Sequence, residues 1–116
     1  MSAFHRMPCF LRGAALAGVA AWMMAAAPAF AASTVTIEIN KFAFAPKEVT
    51  VDPGTKIIWV NRDQTPHTIA SGDKSFVSKG LDTDDQFEHT FSGAGDFSYV
   101  CTLHPFMTGV VHVRKR

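Results

Sequence analysis

The sequence predicts an all-β protein, an antiparallel sandwich or barrel of about seven or eight strands occupying residues 32–116. Three observations predict it. Polar and apolar residues alternate in short runs, Gly, Pro and Asp clusters punctuate those runs at close intervals, and no window sustains a 3.6-residue apolar period with helix caps.

Thr34-Val35-Thr36-Ile37-Glu38-Ile39 alternates with period two, the pattern of a strand with one buried face. Val49-Thr50-Val51 leads into Asp52-Pro53-Gly54, a turn in which Pro presets φ and Gly accepts a positive φ. Lys56 to Asn61 reads as a buried strand around Ile57, Ile58, Trp59 and Val60, and Ser71-Gly72-Asp73 marks a loop. Phe87, His89 and Phe91 share one strand face, Gly93-Ala94-Gly95 turns the chain, Phe97, Tyr99 and Cys101 share the next face, and Val110 to Val113 closes the domain.

Residues 1–31 read differently. Arg6 and Arg12 precede an Ala-rich apolar run from Gly13 to Ala27, followed by Pro28-Ala29-Phe30-Ala31, the layout of a secretory signal peptide with a small-residue cleavage site. The run is too short and too alanine-rich for a membrane span, so no stable membrane insertion is expected, and the location expected for residues 32–116 is the periplasm. The balance of 11 Lys+Arg against 10 Asp+Glu offers no basic face for nucleic acid.

Removing the leader leaves Cys101 and Met107 as the sole cysteine and methionine, with His104 midway between them: Cys101-Thr102-Leu103-His104-Pro105-Phe106-Met107. A lone thiol in an oxidising compartment is a liability unless something occupies it. A thiolate, an imidazole and a thioether form a soft to borderline donor set that suits copper, and two His, one Cys and a distant Met are the ligands of a blue-copper site. His67, which follows Pro66 just beyond the strand ending at Asn61, is the best candidate for the second histidine. Four protein ligands leave no open position for substrate, so no catalytic residue is expected.

On these residues the chain resembles the cupredoxins, and among them the amicyanin branch. The resemblance rests on Cys101-x-x-His104-x-x-Met107 with Pro105-Phe106 inside the loop, on Trp59-Val60-Asn61-Arg62-Asp63 followed by Pro66-His67, and on Phe42-x-Phe44-x-Pro46. It implies a Greek-key β-sandwich, one copper ion held by His67, Cys101, His104 and Met107, and one-electron transfer as the activity. It also implies that Asn61 tethers the ligand loop by hydrogen bonds to Thr102. Leu103 stands where amicyanin-type chains carry Pro, and the segment from His67 to Phe87 is shorter than theirs.

Pro66, Leu103, Pro105 and Phe106 flank both histidines and are expected to form a small apolar patch where redox partners dock transiently. Those partners are expected to be a donor dehydrogenase and a cytochrome-type or oxidase acceptor, met by a monomer. His89 is expected at the core edge with a local hydrogen bond, His112 on a strand surface, Asp82, Asp84 and Asp85 in a solvated loop, and Arg114-Lys115-Arg116 in a solvated tail. Two rivals share the strand pattern: a copper carrier or scavenger using the same ligands, and a metal-free interaction sandwich, which leaves the Cys, His and Met spacing unexplained.

Overall fold

A computed structural model describes residues 33–115. Residues 1–32 and Arg116 lie outside the described residues, and with them the leader expected at residues 1–31. The described residues form eight strands: β1 (Thr34–Asn40), β2 (Ala43–Ala45), β3 (Glu48–Val51), β4 (Thr55–Asn61), β5 (Ala70–Ser71), β6 (Gln86–Phe91), β7 (Gly95–Val100) and β8 (Thr108–Val113). They build two four-stranded sheets, β2-β1-β4-β6 and β3-β8-β7-β5. Among the described residues no helix is long and apolar enough to cross a membrane.

The sheets are mixed, which corrects the antiparallel expectation. β1 pairs with β4 in parallel, Val35 opposite Ile57 and Ile37 opposite Trp59, and β3 pairs with β8 in parallel. The cause is a change of sheet: after β1 and β2 the chain contributes β3 to the second sheet and returns as β4 beside β1, pointing the same way. Alternation along one strand encodes which face is buried and carries no information about the direction of a neighbour.

Inward-facing residues of both sheets meet around Trp59. Ile37, Ile39 and Ile57 come from the first sheet, Tyr99, Val111 and Val113 from the second, and all are buried. The indole packs at 5.3 Å from the Tyr99 ring and 5.8 Å from Phe76. Gly109 lies opposite Tyr99 in the β7–β8 ladder, and the Tyr99 ring occupies the space that any side chain at 109 would need. Burial pushes the Tyr99 hydroxyl up to about 12.

Several described residues take positive φ, and two of the turns they occupy flank the first sheet's central strands. Gly54 adopts φ +92° in the Asp52-Pro53-Gly54 turn, as that tripeptide predicts. β1 and β2 are joined by Lys41 and Phe42, both left-handed at φ 53° and 57°, a two-residue hairpin turn normally given to Asn and Gly. The β7–β8 ladder ends at the pair Val100 and Thr108, leaving residues 101–107 as its connecting loop.

Candidate metal centre

The segment after β4 is shaped by Asn61. Its buried side chain donates through Nδ2 to the carbonyls of Thr65 and Leu81, both at 2.9 Å, while its Oδ1 accepts the Asp63 N–H at 2.9 Å. These bonds curl residues 61–65 and bring Leu81 alongside. His67 then exchanges backbone bonds with Leu81, donating at 3.1 Å and accepting at 2.7 Å, which fixes its position without a regular strand.

The imidazole of His67 is fully buried, and Nε2 lies 2.8 Å from Asp63 Oδ2. Burial alone would raise the Asp63 carboxyl, but hydrogen bonds from the Phe42 N–H, His67 and the Lys41 N–H outweigh it and hold the group below the usual carboxylate range. An ionised carboxylate can only accept, so Nε2 of His67 is the donor and, in the neutral ring, Nδ1 keeps its lone pair.

That lone pair faces the sulfur. Cys101 Sγ lies 3.7 Å from His67 Nδ1 and 3.8 Å from His104 Nδ1, and the three donor atoms all fall within 4.8 Å of one another. This is the spacing at which three donors can share one ion with bonds of about 2 Å. Cys101, His67 and Met107 are buried, whereas His104 is only partly so.

The loop that carries three of the four expected ligands is stitched to itself. The His104 N–H donates to the Cys101 carbonyl at 3.2 Å, the Met107 N–H to the His104 carbonyl at 2.8 Å, and the Cys101 N–H to the Met107 carbonyl at 3.1 Å. Thiolate, imidazole and thioether on such a frame fit copper better than cations that prefer oxygen.

The tether expected between Asn61 and Thr102 is made by another residue. Asn61 spends its amide on Thr65, Leu81 and Asp63, whereas the Thr102 N–H donates to Thr68 Oγ1 at 2.8 Å and the two threonine hydroxyls meet at 2.7 Å. Thr68 also directs its backbone N–H, at 3.3 Å, and its hydroxyl, at 3.8 Å, toward Cys101 Sγ. Its place directly after His67 was the available signal. Asn61 shapes the His67 segment and Thr68 joins it to the ligand loop.

Phe42 was also missed. Its ring stands edge-on to His67 at 5.2 Å and to His104 at 5.1 Å. The expected docking residues Pro66, Leu103, Pro105 and Phe106 are all exposed, Leu103 at 55% and Phe106 at 72%. Elsewhere, His89 stacks on Phe76 at 4.8 Å, Asp84 pairs with Arg62 at 2.7 Å in an exposed acidic turn, and Arg114, exposed as expected, binds Asp96 at 2.6 Å.

The profile of the cupredoxin-like domain family matches residues 13–113. Amicyanin of Paracoccus versutus is 36% identical over 87 residues, which cover 71% of this chain and 66% of that protein. Amicyanin of Paracoccus denitrificans is 30% identical over 93 residues, covering 76% of this chain and 71% of that one. Among solved structures, a purple cupredoxin from Nitrosopumilus maritimus superposes with a TM-score of 0.66 at 32% identity, over 69% of this chain and 99% of the other.

Proposed function

The chain belongs to the cupredoxin-like family, and from that premise we propose that it is a type 1 blue copper protein carrying single electrons between redox proteins in the periplasm. His67, Cys101, His104 and Met107 hold the ion. Bound there, copper supplies the one-electron chemistry by alternating between its Cu(I) and Cu(II) states.

The observation that carries this reading is the convergence of Cys101 Sγ with two imidazole Nδ1 atoms inside 4.8 Å. The chain's own part is to keep that arrangement indifferent to the oxidation state. Asp63 holds His67 in one tautomer, Thr68 supports the sulfur from the His67 side, and the hydrogen-bonded loop holds His104 and Met107. With every donor supplied by the protein, no position remains for a substrate, and the site passes electrons without turning anything over.

Electrons enter and leave through His104, the ligand nearest solvent, and partners rest on Pro66, Leu103, Pro105 and Phe106. A patch of this size suits short-lived encounters between a donor dehydrogenase and a cytochrome or oxidase acceptor.

The test is to add one equivalent of Cu(II) to the protein and record its visible spectrum beside a Cys101→Ser control. An intense thiolate-to-copper band that vanishes in the control is expected. Copper bound without that band would turn the reading toward a carrier or scavenger, and failure to bind copper would leave a metal-free sandwich. Phe106→Glu is expected to keep the band while exchanging electrons more slowly with a protein partner; an unchanged rate would remove the docking assignment.

A further inference from the structure

Lys41 and Phe42 hold left-handed backbone, at φ 53° and 57°, although neither is glycine, asparagine or aspartate. A bulky aromatic residue in that conformation is strained, and such strain persists only where the surroundings impose it. Here a two-residue hairpin turn demands it and a single carboxylate holds it. Asp63 Oδ1 accepts the Lys41 N–H at 2.7 Å, and Oδ2 accepts the Phe42 N–H at 2.9 Å together with His67 Nε2 at 2.8 Å.

The strained turn sets the Phe42 ring edge-on against both histidines, at 5.2 Å from His67 and 5.1 Å from His104, with 41% of the residue exposed. Cys101, whose sulfur lies 3.7 and 3.8 Å from the two Nδ1 atoms, is fully buried. A cavity of about 90 Å³ borders Phe42, lined also by Phe44, Lys47, Phe106 and Met107.

We propose that Phe42 is a lid over the donor cluster, latched by Asp63, which gates entry and loss of the metal and which opens by swinging toward that cavity. The latch and the ligand orientation share one carboxylate, so closing the lid and fixing His67 are a single event. This rests on the reading of His67, Cys101 and His104 as donors, and it deepens that reading by assigning control of access to a residue outside the set.

Two measurements test it, one of them without metal. In the metal-free protein, Cys101 is alkylated with iodoacetamide; in the copper-loaded protein, Cu(I) is withdrawn by excess bicinchoninate. Phe42→Ala is expected to speed both about tenfold, because the closed state no longer has its two edge-to-face ring pairings. Its thiolate-to-copper band is expected to persist, because phenylalanine supplies no donor atom. Asp63→Asn should speed both reactions as well, and Lys41→Gly, which relieves strain while keeping the ring, should speed neither.

An unchanged alkylation rate in Phe42→Ala would overturn the lid. So would a wild-type rate that climbs steeply in dilute urea, since exposure would then come from global unfolding instead of a local opening. Failure of the chain to take up copper would sink the electron-carrier reading and leave the alkylation arm still readable.

Discussion

Two histidines lean on carboxylates at hydrogen-bond distance, and they are fitted for opposite tasks. His67 is fully buried and gives Nε2 to Asp63 at 2.8 Å, while Nδ1 is left facing Cys101 Sγ at 3.7 Å. His112 sits partly exposed on β8 and spends both nitrogens, Nδ1 on Asp96 at 2.7 Å and Nε2 on Glu48 at 3.1 Å, so it ties β8 to β7 on one side and β3 on the other. The lesson is one of counting. A histidine paired once is oriented and still has a lone pair to give; a histidine paired twice is a strut.

The contrast can be broken most severely at the buried end. Asp63→Ala strands the Lys41 and Phe42 N–H groups and the buried His67 ring at once, and is expected to destabilise the metal-free protein by about 3 kcal/mol, read from urea unfolding. An equal loss in Glu48→Ala would mean that burial does not separate the two pairs. Next in size, Thr68→Val removes the hydroxyl that holds Thr102 and reaches toward the sulfur. About 1 kcal/mol should be lost, together with a shift of the copper band, and an unmoved band would show that the thiolate does not feel that hydroxyl.

The smallest effect belongs to the strut, and its sign follows from the shifts. Hydrogen bonds to Asp96 and then Glu48 raise His112 above its ordinary value, so its contribution is complete below the unfolded histidine value and is lost as pH climbs through the folded one. Asp96 is lowered by its bonds to His112 and Arg114, so its contribution is present above the unfolded carboxylate value and fades as pH falls through the lowered one. Relative to His112→Gln, the wild type should therefore lose urea resistance as pH rises above the ordinary histidine value of about 6.5. Parallel curves for the two proteins would show that the surface pairs are too well screened to matter.

Much of this was legible beforehand. Strand faces follow from side-chain alternation, the Asp52-Pro53-Gly54 turn from the φ preferences of its residues, and the nearness of Cys101 and His104 from their spacing in the 101–107 loop. What the sequence hid are relations between distant segments. No local pattern states that β1 and β4 run parallel, or that β2 forms across a turn of two residues with unfavourable φ. The misassigned tether has the same origin: Asn61 and Thr68 are both polar residues near His67, and only the path of residues 61–65 decides which of them faces Thr102. Asp63 was invisible as a hub because its three partners come from two separated stretches of chain.

The self-bonded loop between Val100 and Thr108 divides the centre into a cartridge and a socket. Cys101, His104 and Met107 travel together in a few consecutive residues whose hydrogen bonds close on themselves, while the sandwich contributes His67 and the threonine that receives the cartridge. The exposed positions of that stretch, Thr102, Leu103, Pro105 and Phe106, are free to vary without entering the core around Trp59, to which Cys101 and Met107 belong. Variation in redox behaviour can therefore accumulate in one short segment, where selection can revise it without renegotiating the stability of the whole protein.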